Sequence, residues 1–133
     1  MKNSSSPKPT ESELNILQVL WAKGPSSVRV VNEILNEIKE MGYTTTLKLM
    51  QIMTEKGLVI RDTSTRSHIY SANVSEDVTK NKLLDGFLEQ TFQGSAGSLV
   101  MQALGNHKTS PAELKKIKSL IEELEKSNHG TNQ

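Results

Sequence analysis

The spacing of apolar residues changes character at one place, Gly57, and that change limits the folds open to the chain. Before it, apolar side chains recur every three or four residues, as on one face of a helix; directly after it, Leu58-Val59-Ile60 is a short β-branched run. A polar stretch, Asp62-Thr63-Ser64-Thr65-Arg66-Ser67, follows, and His68-Ile69-Tyr70-Ser71-Ala72 resumes the extended pattern. This predicts a β-hairpin in which Leu58 to Thr63 pairs with Ser67 to Ala72. The turn lacks the Asn-Gly signal of a tight connection, so a longer loop is expected.

Three short helices are expected upstream. Thr10 followed by Glu13 forms a capping box, and Leu14, Leu17, Leu20 and Trp21 then build one apolar face that ends at Gly24-Pro25. Ser26 or Ser27 restarts a helix carrying Val28, Val31, Ile34, Leu35 and Ile38 as far as Gly42. A third, capped by Thr44, runs over 44–56 with Thr46, Leu49, Met50 and Met53 on its inner side. None is long enough to be stable alone. Helix, helix, helix, hairpin is the order of a winged helix-turn-helix, so the expected fold is mainly α with a small β-hairpin.

After Asn73 every signal is helical. A fourth helix starts at Ser75 with Glu76 and Asp77 near its positive end, and Leu84, Phe87, Leu88 and Phe92 form its stripe. Gly94-Ser95-Ala96-Gly97 interrupts it, Leu99 to Leu104 is a short apolar helix, and Ser110-Pro111-Ala112-Glu113 opens the last one. There Leu114, Ile117, Leu120, Ile121 and Leu124 contain a short heptad-like seam at 114, 117, 121 and 124. So few residues bury little within one copy, and the stripes suit either a homodimer interface or packing back on the first domain. The expected organisation is a flexible tail at 1–9, a winged-helix domain at 10–73, a helical dimerisation domain at 74–126 and a second tail at 127–133.

Composition removes several functions. The 133 residues contain no Cys, which excludes disulfides, thiolate metal sites and cysteine nucleophiles. His68, His107 and His129 share no metal-binding helical spacing, and no GxxxxGK, GxGxxG or GxSxG occurs. No catalytic, metal or cofactor site is therefore expected, and the chain is read as a non-enzyme. With neither an export signal nor a membrane-spanning run, the expected compartment is the cytoplasm. The formal net charge is only +1, so bulk charge does not argue for nucleic acid.

Local placement does. Turning Thr46, Met50 and Met53 inward sets Thr44, Lys48, Gln51 and Glu55 on the opposite face of helix 44–56, with Thr45 beside them. Hydroxyls, an amide and one ammonium near a helix amino end can contact phosphates or base edges. Glu55 must then point away from DNA. Arg61, Arg66 and His68 cluster about the hairpin tip, where a wing would follow a phosphate backbone, and Arg29 begins the second helix. The plainer reading of each is solvated surface charge. Two other readings stand beside DNA recognition: a winged-helix adaptor that binds protein, and a regulator released by a small ligand.

Further runs carry a resemblance. Pro9-Thr10-Glu11-Ser12-Glu13-Leu14, Val19-Leu20-Trp21, Gly42 to Lys48, Glu55-Lys56-Gly57-Leu58-Val59, Arg61-Asp62 and Arg66 to Tyr70 resemble the penicillinase-repressor (BlaI/MecI/CopY) family in order and spacing. Phe87-Leu88, Phe92-Gln93-Gly94-Ser95, Ser110, Glu113 and the Leu124 helix extend the likeness over about residues 9 to 126. It implies a repressor that binds double-stranded operator DNA, expected to be palindromic, as a homodimer. In this family's β-lactam-responsive members a membrane-embedded protease sensor triggers cleavage at an Asn-Phe bond, whose place Gln102-Ala103 takes here. The copper-responsive members use C-terminal cysteines, which this chain lacks.

Overall fold

The computed structural model describes residues 8–131, with side chains to Asn128. It divides into two compact units, one up to Gly86 and one from Phe87.

In the first unit, α1 (Glu11–Lys23) begins with the expected capping box: the Glu13 amide donates to Thr10 Oγ1 at 3.2 Å and the Thr10 amide donates to Glu13 Oε1 at 3.0 Å. Leu17 and Leu20 are buried as expected, but so are Ile16 and Val19, while Leu14 and Trp21 are half-buried. The buried arc is wide because α1 packs against α2, α3 and β2 together.

Ser27, rather than Ser26, caps α2 (Val28–Asn36), and this helix stops well short of Gly42. The Asn36 side chain ends it, accepting from the Met41 amide at 3.0 Å and donating to the Met41 carbonyl at 2.9 Å. Ile38 consequently falls in the α2–α3 turn, 83% exposed, and not on the buried stripe. Asn32 completes the turn by donating to Met41 O and to the buried Thr46 Oγ1, each at 2.9 Å.

The third helix, α3 (Tyr43–Lys56), starts one residue before the expected Thr44 cap. Gly42 is its N-cap and no side chain caps it, so Thr44 lies within the first turn. Thr46, Met50 and Met53 are buried and Leu49 half-buried, as the pattern predicts. Gly57 ends α3 at φ +83°, a left-handed cap.

The hairpin is present but shorter than expected: β1 (Val59–Asp62) and β2 (Ile69–Ala72) pair antiparallel from Val59 opposite Ala72 to Asp62 opposite Ile69. Leu58, Thr63, Ser67 and His68 lie outside the strands, and the connecting loop is long. Ser26 and Tyr70 exchange both backbone hydrogen bonds, at 2.9 and 2.8 Å, adding a bridge from the α1–α2 linker to β2. The core holds Ile16, Leu17, Leu20, Val31, Met50, Met53, Leu58, Val59 and Tyr70. Three helices closed by a hairpin around one core make this unit a winged helix-turn-helix.

Residues 74–86, grouped by element type with the helical half, belong to the compact unit of the winged helix. Trp21 Nε1 donates to the Val74 carbonyl at 3.0 Å, and Thr79 of α4 (Glu76–Phe92) is buried. From Phe87 the chain completes α4, then forms α5 (Ala96–Asn106) and α6 (Pro111–Thr131). The break after α4 uses left-handed backbone at Gln93 and Gly94. Ser95 and Ser110 then accept first-turn amides of α5 and α6, each at 3.1 Å. Where a tail was expected from residue 127, α6 continues to Thr131, because extending an existing helix is far easier than starting one. Residues 1–7 and 132–133 of the two expected tails lie outside the described residues.

No described residue from Phe87 onward is buried. Of the expected dimerisation stripe, Leu84, Phe87, Leu114, Leu120, Ile121 and Leu124 are exposed, whereas Leu88, Phe92 and Ile117 are half-buried. Phe87 and Phe92 meet edge to face with ring centres 5.7 Å apart. Among the described residues no helix is long and apolar enough to cross a membrane.

Candidate nucleic-acid interface

Burying Thr46, Met50 and Met53 fixes which face of α3 meets solvent. Thr44, Thr45, Lys48 and Gln51 are all exposed there, as the helical angle requires, and Glu55 is exposed further along. The amides of Tyr43, Thr44 and Thr45 precede the first intrahelical bond, from the Thr46 amide to the Gly42 carbonyl at 3.1 Å. With no side-chain cap, these donors face outward at the positive end of the helix dipole, a favourable place for a phosphate.

Beside this turn lies a cleft where three sequence-predicted residues converge: Arg29 from α2, and Arg66 and His68 from the wing. Ser27, Tyr43, Leu47 and Tyr70 are among its other lining residues. Arg61 is exposed on β1 opposite Tyr70 and is not among the residues lining the cleft. Tyr43 is the residue that sequence reasoning missed; it is 51% exposed at the first position of α3. An aromatic directly after Gly42 and outside the apolar repeat was the available signal. Tyr70 was read only as a strand residue, yet its ring is buried, and among the described residues its hydroxyl has no hydrogen-bond partner.

The charges around the cleft are unneutralised. Ion pairs among the described residues join Glu13 to Lys56 and Glu76 to Lys80, leaving Arg29, Lys48, Arg61 and Arg66 in none. The wing's one acid is turned to another use: Asp62 Oδ1 accepts the Ser64 amide at 2.9 Å, and that bond holds its carboxyl below the usual carboxylate range. Thr65 Oγ1 donates to the Ser67 carbonyl at 2.6 Å, so the loop carrying Arg66 is tied at both sides by its own side chains.

Behind the interface, Lys56 at the end of α3 reaches the buried Glu13 of α1, with Nζ at 2.8 Å from Oε2 and 3.0 Å from Oε1. Burial works to raise the Glu13 pKa; the Lys56 hydrogen bond, the Thr10 amide and the Lys56 charge outweigh it, leaving it below the ordinary 4.5. One carboxylate thus caps α1 and anchors α3. Among the described residues no group of three His, Asp or Glu could hold a metal ion.

A family model described as penicillinase repressor matches residues 9–123. The chain is 24% identical to the penicillinase repressor of Staphylococcus aureus over 115 residues, spanning 86% of this chain and 91% of that one. It is 27% identical over 123 residues to the penicillinase repressor of Bacillus licheniformis, spanning 88% and 91%. A solved structure of B. licheniformis BlaI in its monomeric form, in complex with the blaP half-operator, superposes at TM-score 0.49 with 19% identity, covering 55% of this chain and 89% of that one.

Proposed function

The chain belongs to the penicillinase repressor family, and from that premise we propose that it is a transcriptional repressor that binds operator DNA as a homodimer. Two clusters support DNA as the partner: unpaired Arg29 and Arg66 beside the open first turn of α3, and the exposed row Thr44, Thr45, Lys48 and Gln51. In this reading α3 enters the major groove, where Lys48 and Gln51 meet base edges. The uncapped amides, Tyr43 and Arg29 take phosphates, and Arg61, Arg66 and His68 of the wing follow the backbone. The observation that carries the proposal is the convergence of cationic side chains from α2 and the wing on the start of α3, which alone among the described helices has no side-chain cap.

Exposed apolar side chains on α4 to α6 support self-association, since the unit from Phe87 buries none of its described residues within one copy. The protein works in the cytoplasm, and occupancy of a promoter blocks transcription. A proteolytic or other signal, passed by a membrane sensor or a protease, relieves it. The expected cleavage position, Gln102-Ala103, lies inside α5 with both residues exposed, and Gln102 O accepts from Asn106 Nδ2 at 2.8 Å. Cutting there requires local unwinding of that helix, so a signal that loosens α5 is part of the mechanism.

Selection of bound duplexes from a randomised DNA library, at low and at near-physiological salt, tests the reading. The expected result is a two-fold symmetric motif with half-sites one or more helical turns apart. Enrichment without any motif, vanishing as salt rises, would remove sequence-specific repression and favour a protein-binding adaptor.

A further inference from the structure

Sharing no lining residue with that cleft, a small apolar cavity of about 110 Å³ lies at the start of α4, walled by Leu58, Val74, Val78 and Leu83. Thr79 also lines it and is buried, at 6% exposure. Among the described residues the Thr79 hydroxyl has no hydrogen-bond partner. A threonine inside a helix commonly donates to the carbonyl four residues back; here the Ser75 carbonyl takes the Thr79 amide at 3.0 Å and no bond from the hydroxyl. An unsatisfied buried hydroxyl costs free energy unless something meets it. Two further lining residues, Lys8 and Lys82, are exposed and in no ion pair among the described residues, which gives the cavity lining two positive charges.

From this juxtaposition of apolar walls, an unpartnered hydroxyl and two cations we infer that the cavity is a binding site for a small monocarboxylate with a short hydrocarbon tail. The tail lies against Leu58, Val74 and Val78, the carboxylate accepts from Thr79, and Lys8 and Lys82 neutralise it. The volume is somewhat below that of a cavity that holds benzene, so a tail of about three to five carbons fits. The walls are set before any ligand arrives: Asn73 donates to the Leu58 and Gly57 carbonyls at 2.8 and 3.0 Å, and Trp21 holds Val74. The site therefore asks little reorganisation of the protein. It does not depend on the DNA reading.

Titrating the full chain with hexanoate, followed by amide NMR shifts and by Tm, tests this, with hexan-1-ol and acetate as controls. The expected result is saturable shifts centred on Val74, Val78, Thr79 and Lys82, a raised Tm, and weaker binding of both controls. Thr79→Val and Lys82→Met should each weaken hexanoate by roughly five- to tenfold. Both variants should fold, since the first removes an unpartnered hydroxyl and the second changes an exposed side chain. Absence of saturable shifts at millimolar hexanoate, equal affinity for hexan-1-ol, or undiminished binding by Thr79→Val would each overturn the assignment.

Discussion

Glu13 shows how much one side chain can hold. It is 2% exposed, closes the capping box of α1 and takes two hydrogen bonds from Lys56 at the far end of α3. Replacing it with Gln keeps the shape and the cap but removes the charge, and should cost about 1–3 kcal/mol of stability at neutral pH. The pH dependence follows from the direction of its shift. A carboxyl whose folded pKa lies below the ordinary 4.5 contributes stability that is complete above that value and fades as pH falls through the folded pKa. Urea midpoints should therefore drop below about pH 4.5 more steeply in the parent than in Glu13→Gln; parallel curves would assign the acid sensitivity to other carboxyls. At the interface, Arg66→Ala should weaken binding to operator and random duplexes alike and lower the salt slope by about one. Lys48→Ala should instead cost about 1–3 kcal/mol on operator alone. Fluorescence anisotropy at two salt concentrations separates the two, and equal losses for Lys48→Ala on both duplexes would make it a phosphate contact.

At the scale of elements, two glycines end helices by different means, and the difference is measurable. Gly57 sits at φ +83° and ψ 11°, in the left-handed region that Asn also tolerates. Gly24 sits at φ +90° and ψ −170°, a region open in practice only to glycine. A Cβ at either would meet nothing within 4 Å, so backbone strain alone sets the cost. Gly57→Ala should lose about 1–2 kcal/mol. Gly57→Asn should recover part of that, whereas Gly24→Ala and Gly24→Asn should both lose about 1–3 kcal/mol. Equal rescue by Asn at the two sites in chemical denaturation would contradict the distinction. Such punctuation is also why the order of elements was legible: Thr10, Gly24, Gly57 and Ser110 act within a few residues of themselves. The α2–α3 turn was not legible, because the end of α2 depends on Asn36 bonding both backbone groups of Met41, a reciprocal contact that no periodicity announces. The exposed face of α3 could be read from helical angles once Met50 and Met53 were placed inside. Tyr43 was missed although it directly follows Gly42, since its place in the first turn depends on Gly42, and not Thr44, being the cap. The cleft joining Arg29 to Arg66 is tertiary, created by the bridge of Ser26 to Tyr70, and is silent in a linear pattern.

For the whole molecule, a net charge of +1 gives no long-range field to concentrate the protein on DNA, so in the proposed homodimer affinity comes from the local cationic cluster and from having two copies of it. The unit from Phe87 suits the second role in that proposal, with Leu120, Ile121 and Leu124 about half exposed, at 54, 46 and 53%, on a helix that leaves none of its described residues buried. Because Leu120 makes little use of its side chain within one copy, Leu120→Asp should leave the fold of the monomer intact while placing a charge in the proposed apolar contact between copies. Sedimentation velocity should then show a monomer where the parent is expected to be a dimer. On a duplex with one half-site the variant and the parent should bind alike, since each α3 and wing is unchanged. On a duplex with two half-sites the linked pair gains an effective local concentration that separate monomers lack, and the variant should lose roughly 10²- to 10⁴-fold in affinity. A monomeric Leu120→Asp that still bound the double site as tightly as the parent would mean that pairing on DNA comes from the winged helices themselves, and that the exposed stripe serves another partner.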